Sequence, residues 1–270
     1  MEIHKGIIYS MEKDNFEKRI ITTCSDGKIR VFENKSDPDT KINLEFIAEM
    51  SGDEGIPTKA VFVDQIECIV ASFSNGTIII WKKENINYKK IYEFKVFSGS
   101  ISDLSCVYIE NNIVMYCACS DGILRIVKYI NNTIQIDEVT AHRFGISCID
   151  GNEDYIVTGG IEYSVAIWSK KEEITRFNSH EGVVRAIKIA PKNIFNIFCF
   201  ASCGEDGKVI IYIKDGNNFN QQIIELEEPV YSLSWSKSGF SLSVGYGENK
   251  YKCFVPTNEG KFEEIPIVEE

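Results

Sequence analysis

Six polar turn residues recur along this chain, and each is followed six residues later by a bulky side chain. The turn residues are Asp26, Asn75, Asp121, Glu162, Asp206 and Glu248. Their bulky partners are Phe32, Trp81, Val127, Trp168, Tyr212 and Phe254. By subtraction, successive turns are 49, 46, 41, 44 and 42 residues apart. A repeat of about 40–45 residues is the signature of a β-propeller blade. Because one blade cannot bury its own faces, this repeat predicts the whole fold.

Four of the six turns have the residues that a tight hairpin requires. They are Asp26-Gly27, Asn75-Gly76, Asp121-Gly122 and Asp206-Gly207. Glycine tolerates the positive φ angle of a two-residue hairpin, so each pair predicts a turn between two strands. Strands that are covered on both faces by stacked blades should be continuously apolar, as residues 77–81 (TIIIW) are. A two-sheet sandwich, the competing fold, should alternate more regularly. The pattern therefore predicts an all-β, six-bladed β-propeller.

The composition indicates one large domain. The chain has 270 residues, 44% of them hydrophobic, and lacks a Pro/Gly/Ser-rich linker, so we expect a single domain over residues 1–270. Polar residues 34–43 and 215–222 indicate loops between outer strands. The first residues do not resemble a signal peptide and the apolar runs are short, which predicts a soluble protein. The net charge is −11 and no Lys/Arg cluster exceeds a short pair, so we expect no direct contact with nucleic acid.

The residues that usually carry chemistry do not form a catalytic or metal-binding pattern. The nine cysteines lie mostly in predicted strands and none is in a C-x-x-C motif, which indicates buried reduced thiols in a reducing compartment. The three histidines are not spaced as metal ligands, and no nucleophile elbow or phosphate loop is present. We expect no catalytic residues, no metal and no cofactor.

Two histidines have a structural explanation. His142 and His180 each precede an apolar strand and lie about twenty residues ahead of a turn. In WD-repeat propellers, which these repeats resemble, such a histidine joins a buried network with a strand Ser/Thr, the turn acid and the closing aromatic residue. The matching sets are His180, Ser202, Asp206 and Tyr212 in the fifth repeat, and His142, Thr158, Glu162 and Trp168 in the fourth. Such a network fixes blade geometry because each member satisfies the buried polar group of another.

The ends of the chain suggest a ring that does not close on itself. Closed WD-repeat propellers usually begin with an extra strand that completes the last blade, and residues 1–5 are too short to supply one. Residues 261–268 can serve as the outer strand of the sixth blade. We therefore expect an open ring, in which two blade faces need burial.

Several segments resemble one known family closely. Residues 19–32 (RIITTCSDGKIRVF), 71–85 (ASFSNGTIIIWKKEN), 141–147 (AHRFGIS), 157–168 (VTGGIEYSVAIW) and 235–239 (WSKSG) carry the resemblance. The chain is similar along nearly its whole length to the small WD-repeat propeller shared by the COPII outer coat and the nuclear-pore Y-shaped complex, the secretory protein thirteen family. It departs from that family at Asp53, where a histidine is usual.

The resemblance implies a non-enzymatic scaffold of the vesicle coat in ER-to-Golgi transport and of the nuclear pore. An α-solenoid partner would insert three strands and complete the open ring as a seventh blade. Residues 6–11, 230–235 and 251–255 would border the gap, with Ile7, Tyr9, Trp235 and Phe254 as partner-binding residues. The protein would be cytoplasmic, at ER exit sites, COPII vesicles and nuclear pores, and would meet membranes only through the coat.

Two other functions compete with this interpretation. A sister nuclear-pore propeller has a similar architecture, although the segments 81–85 (WKKEN) and 141–145 (AHRFG) favour the coat subunit. A stand-alone WD-repeat adaptor that binds peptides across its top face is the second alternative. Purification with coat or pore solenoids, as opposed to scattered clients, would separate them.

Overall fold

The structure is a computed structural model that describes residues 3–36, 42–192 and 197–265. These residues form 24 β-strands and one short 3-10 helix, Asp64–Ile66. The strands make six four-stranded antiparallel sheets, each with its strands in chain order. The fold class is therefore that of a six-bladed β-propeller, and the prediction from the repeats is confirmed. Among the described residues, no helix is long and apolar enough to cross a membrane.

The chain divides into two compact units, and the first, Met1–Thr140, contains three blades. Blade one consists of β1 (Ile8–Lys13), β2 (Arg19–Cys24), β3 (Lys28–Asn34) and β4 (Leu44–Ser51). Blade two consists of β5 (Pro57–Val63), β6 (Cys68–Phe73), β7 (Thr77–Glu84) and β8 (Asn87–Lys95). Blade three consists of β9 (Ile101–Ile109), β10 (Asn112–Cys119), β11 (Ile123–Ile130) and β12 (Thr133–Thr140).

The second unit, Ala141–Glu270, contains the other three blades. Blade four consists of β13 (Ile146–Gly151), β14 (Ile156–Gly160), β15 (Val165–Ser169) and β16 (Glu172–Phe177). Blade five consists of β17 (Val184–Ile189), β18 (Cys199–Gly204), β19 (Lys208–Asp215) and β20 (Asn218–Glu225). Blade six consists of β21 (Val230–Trp235), β22 (Leu242–Tyr246), β23 (Lys250–Pro256) and β24 (Phe262–Ile265). The single domain and the open ring stay predictions.

One prediction about loops is wrong. Residues 215–222 were expected to form a loop, but β20 (Asn218–Glu225) pairs with β19 along its whole length. Its side chains alternate between exposed and half-buried because it is the outermost strand of its blade. A polar strand at a solvated sheet edge looks like a loop in composition. The other expected loop, at 34–43, and the expected outer strand at 261–268 lie partly outside the described residues.

All six turn residues lie between the second and third strands of their blades, as expected. The residue after each turn residue has a positive φ angle. These residues are Gly27 (+83°), Gly76 (+81°), Gly122 (+79°), Tyr163 (+73°), Gly207 (+74°) and Asn249 (+61°). Blade four is therefore unusual, because an aromatic residue occupies the left-handed conformation that four other blades reserve for glycine.

All six bulky closing residues are buried on the third strand of their blades. Trp81 packs in one cluster with Ile21 and Val31 of the preceding blade. Phe254 likewise packs with Ala201 and Ile211 of blade five. The closing residue therefore fills the space between its own blade and the blade before it, which explains why the repeat keeps a bulky side chain there.

We expect Trp81→Ala to lower the free energy of unfolding by about 3–5 kcal/mol, because it deletes a large side chain between two blades. Ile86→Ala, in an exposed turn of the same blade, is the matched control and should change little. Urea denaturation measures both. A wild-type midpoint for Trp81→Ala would contradict the packing role.

We expect Tyr163→Gly to raise the free energy of unfolding by about 0.5–1 kcal/mol, since glycine relieves the strain of a positive φ angle. Asn249→Gly is the control and should have a smaller effect, because asparagine tolerates this conformation better. Thermal and urea unfolding of the three proteins would test this. A destabilised Tyr163→Gly protein would show that the tyrosine ring contributes more to folding than its strain removes.

Candidate functional site: histidine networks and exposed apolar faces

The structure brings His180, Ser202, Asp206 and Tyr212 together in blade five. His180 precedes β17, and its Nε2 lies 2.7 Å from Ser202 Oγ on β18. Its Nδ1 lies 3.0 Å from Asp206 Oδ2 in the turn. The Tyr212 hydroxyl on β19 lies 3.5 Å from Ser202 Oγ. The network thus joins the entry loop, the second strand, the turn and the third strand of one blade.

The electrostatics of this network favour a neutral imidazole. Burial is the largest influence on His180 and lowers its pKa, outweighing the Asp206 carboxylate, which raises it. Burial would raise the pKa of Asp206, but the hydrogen bond from the Glu181 amide and the interaction with His180 leave that pKa lowered. An ionised Asp206 must accept the Nδ1–H of His180, so Nε2 accepts the Ser202 hydroxyl hydrogen.

Serine, histidine and aspartate are connected here in the order found in hydrolase triads, yet the site cannot act as one. Ser202 and Tyr212 are completely buried, and His180 is buried above them. No carbonyl of a substrate could approach Ser202 Oγ without unfolding the blade. The arrangement is therefore structural, and its geometry gives no support to a hydrolytic function.

Blade four has a related network with additional members. His142 Nε2 lies 2.8 Å from Thr158 Oγ1, and its Nδ1 lies 2.5 Å from Glu162 Oε1. Trp168 Nε1 donates a hydrogen bond of 3.0 Å to Thr158 Oγ1. Burial lowers the pKa of His142 despite the nearby Glu162 carboxylate. All four residues named from the sequence are thus in contact. Two members were missed: Ser164 accepts a hydrogen bond from Arg176 and lies 3.2 Å from His142 Nδ1.

A third network, in blade one, was also missed. His4 Nε2 lies 2.8 Å from Thr22 Oγ1, while the turn residue Asp26 accepts the Lys5 amide. Thr22 and Asp26 are four residues apart, the same spacing as Ser202 and Asp206. That spacing was a usable signal. His4 lies 22 residues before Asp26, between the 20 residues that separate His142 from Glu162 and the 26 that separate His180 from Asp206, so this distance was a second usable signal.

Arginine replaces histidine as the partner of the turn acid in blades one and three. Arg30 donates two hydrogen bonds to Asp26, and Arg125 donates two to Asp121, all between 2.8 and 3.2 Å. Both arginines are buried, and each also pairs with a glutamate on the fourth strand of its blade. The hydrogen bonds from Arg30 are the largest influence on Asp26 and hold its pKa far below the ordinary value.

The four expected partner-binding residues differ in accessibility. Ile7 and Tyr9 are 68% and 51% exposed, whereas Trp235 and Phe254 are 6% and 4% exposed. Trp235 Nε1 donates a hydrogen bond to the Lys188 carbonyl of blade five, and both side chains belong to the core between blades five and six. Trp235 and Phe254 are therefore corrected to core residues. The alternating pattern of β21 could not predict the burial of Trp235, because alternation does not indicate which face of a strand is covered.

Blade one has an exposed apolar face on the side away from blade two. Ser10 and Glu12 of β1 point toward blade two, because Ser10 bonds Thr23, whose hydroxyl donates to the Thr58 carbonyl of blade two, and Glu12 pairs with Lys59 of blade two. Met11 lies between them on the opposite face and is exposed. Phe46 of β4 is exposed as well, and its backbone register places it on that same opposite face.

Blade six departs from the other blades on the face opposite blade five. In every blade, this face is formed by four positions relative to the turn residue. Two lie five and three residues before it, and two lie three and five residues after it. Blade five has Ala201, Cys203, Val209 and Ile211 there, and they pack against blade six. Blade six has Ser243, Gly245, Tyr251 and Cys253, none of which is buried. Small polar residues and an exposed tyrosine thus replace the aliphatic packing surface.

Comparison with known proteins agrees with this architecture. Residues 171–212 match the family profile described as "WD domain, G-beta repeat". The chain is 25% identical to "Protein transport protein sec13" of Emericella nidulans, over 99% of this chain and 96% of that protein. It is 23% identical to "Protein SEC13 homolog" of Drosophila melanogaster, over 96% and 80% of the two chains. The corresponding protein of Yarrowia lipolytica is 26% identical over 99% and 98%.

The chain is therefore similar along almost its whole length to Sec13-family WD-repeat proteins. This family consists of structural transport proteins and is not an enzyme family. The described residues contain no group of three or more His, Cys, Asp and Glu side chains that could hold a metal ion. The buried thiols are also poor nucleophiles: burial raises the pKa of Cys119 to about 11 and that of Cys199 to about 12.

We expect the stability of this protein to fall as the pH is lowered from 7 to 5. The pKa values of His142 and His180 are below 6.5 in the folded chain, so unfolding takes up protons in this range. His180→Gln should reduce the slope by at most about 1.4 kcal/mol per pH unit. Ile86→Ala, which changes an exposed side chain that does not titrate, should leave the slope unchanged. Urea unfolding at pH 7, 6 and 5 measures it, and an unchanged slope in His180→Gln would contradict a neutral buried imidazole.

Proposed function

We propose that this chain is a non-enzymatic scaffold subunit of a protein-transport coat, the COPII coat of ER-to-Golgi vesicles. The observation that carries the proposal is similarity over almost the whole chain to proteins named for protein transport. The interior supports a structural role, since the described histidines are all engaged in holding blades together. A second role in the nuclear-pore scaffold is part of the same proposal.

The proposed partner is an α-solenoid protein that donates a short β-insertion. Two surfaces support this proposal. The face of blade one around Met11 and Phe46 is apolar and exposed. The face of blade six around Tyr251 and Ser243 lacks the aliphatic packing of the other blades. Inserted strands would bury such faces and could add backbone hydrogen bonds at a strand edge.

The proposed location follows from this partner. The chain would act on the cytosolic side of the endoplasmic reticulum, at exit sites and on coated vesicles, and at nuclear pores. Its acidic character, with a net charge of −11, favours recruitment through partners over direct contact with anionic lipid headgroups. Contact with membranes would then be indirect, through the assembled coat.

Affinity purification of the tagged chain from its own cells tests the proposal. We expect a coat solenoid subunit in near-stoichiometric amount. Recovery of nuclear-pore solenoids alone would favour a sister nuclear-pore propeller. Many substoichiometric clients without any solenoid would favour a stand-alone adaptor and contradict the scaffold.

We expect Tyr9→Glu and Met11→Glu each to remove the solenoid partner from such a purification, because a carboxylate on these side chains would be buried at the interface. Ile86→Glu places the same charge on an exposed turn of blade two and should retain the partner. All three proteins should unfold like the wild type, since the changed side chains are exposed in the free chain. Retention of the solenoid by both β1 variants would contradict the assignment of this face.

A further inference from the structure

The turn of blade four differs from the other five in exposing apolar side chains. Its residues are Ile161, Glu162 and Tyr163. In blades one, two, three and five, a polar residue precedes the turn acid or amide and a glycine follows it. Ile161 and Tyr163 are 46% and 45% exposed. Tyr163 also has the positive φ angle of +73° that elsewhere suits glycine. A strained, exposed aromatic residue contributes little to folding, so it needs another explanation.

The neighbouring entry loop adds a second exposed ring. The Ile161 amide donates a hydrogen bond of 3.0 Å to the Gly145 carbonyl, which holds the turn against this loop. Phe144, next to Gly145, is 54% exposed. Large exposed apolar side chains scattered singly are ordinary, but three on two connected loops of one blade form a patch.

Arg143 gives the patch a charge. Five of the six arginines in the chain, all but Arg143, pair with a carboxylate. Arg143 is exposed, lies over the Phe144 ring at 5.3 Å, and has no carboxylate within ion-pair distance among the described residues.

The turn carboxylate of blade four does not neutralise Arg143. Glu162 lies between the two exposed turn side chains, but its Oε1 is held by His142 and lies 4.0 Å from Arg176. Its carboxylate therefore faces groups of its own blade. Arg143 is left to attract an anion supplied by another molecule, beside rings that favour apolar side chains.

We propose that Arg143, Phe144, Ile161 and Tyr163 form a docking site on blade four for a peptide segment of a partner protein. The segment carries an Asp or Glu side chain next to an aromatic or aliphatic one. Its carboxylate pairs with the Arg143 guanidinium, and its apolar neighbour packs against Phe144 and Tyr163. This site is separate from the partner faces of blades one and six, so it does not depend on the proposed scaffold function.

The test begins with selection of displayed random 12-residue peptides on the folded full-length chain. The same library is selected in parallel on the double variant Arg143→Gln/Tyr163→Gly. We expect the wild type to enrich peptides with an acidic residue adjacent to an apolar one, and the double variant to lose them. No enrichment on the wild type, equal enrichment on both proteins, or enrichment of basic or uncharged peptides would overturn the proposal.

One enriched peptide, synthesised with a fluorescent label, then measures each contribution by anisotropy. We expect Arg143→Gln and Tyr163→Gly each to weaken binding by about tenfold or more, and binding of the wild type to weaken as salt is raised. Replacing the acidic residue of the peptide by its amide should have little further effect on Arg143→Gln. Arg185→Gln, which removes an exposed arginine of blade five, is the matched control and should bind normally.

Tyr163→Gly separates binding from folding, because it is expected to stabilise the chain while binding is lost. If Tyr163→Gly is less stable than the wild type and also binds less peptide, this expectation is not met. The peptide affinity of Arg143→Gln would then decide whether the proposal holds. The same variants are also tested for loss of a dimer in sedimentation and for loss of binding to phosphatidylserine vesicles. If peptide binding is retained, loss of the dimer would assign the patch to a second copy of the chain, and loss of vesicle binding would assign it to a lipid surface. Either result would overturn the peptide proposal.

Discussion

Five of the six blades depend on how the polar residue in the turn between their second and third strands is hydrogen-bonded. Asp206 and Glu162 use histidine, while Asp26 and Asp121 use a buried arginine. Blade two avoids the charge with Asn75, whose amide bonds neighbouring backbone groups. The solution differs between blades because any group that satisfies the turn acid serves equally well.

Once the turns are fixed, the blades hold together by packing of bulky side chains. The closing residue of one blade fills the space against the preceding blade, as Trp81 and Phe254 do. Two blade faces lack this packing within their own units. The face of blade one away from blade two exposes Met11, and the face of blade six opposite blade five carries small residues around Ser243 in place of aliphatic side chains.

Strain and exposure coincide in blade four, next to a buried hydrogen-bond network. His142, Thr158 and Trp168 form this network, and His142 also bonds Glu162 of the turn. That network holds the turn in place, so Tyr163 can adopt an unfavourable backbone conformation without disturbing the blade. A rigid base with an exposed aromatic tip is the arrangement expected of a recognition element on a scaffold.

The sequence by itself determined the number of blades, the six turns and the burial of the closing residues, because these follow from local turn chemistry and a repeat of nearly constant length. It also named the network residues of blades four and five, which share fixed spacings with their turns. Only the tertiary structure decided that Trp235 is a core residue, that His4 bonds Thr22, and that Arg143 has no carboxylate partner among the described residues. Which face of a strand is covered, and which charges meet, depends on residues far apart in the chain, and no local pattern records them.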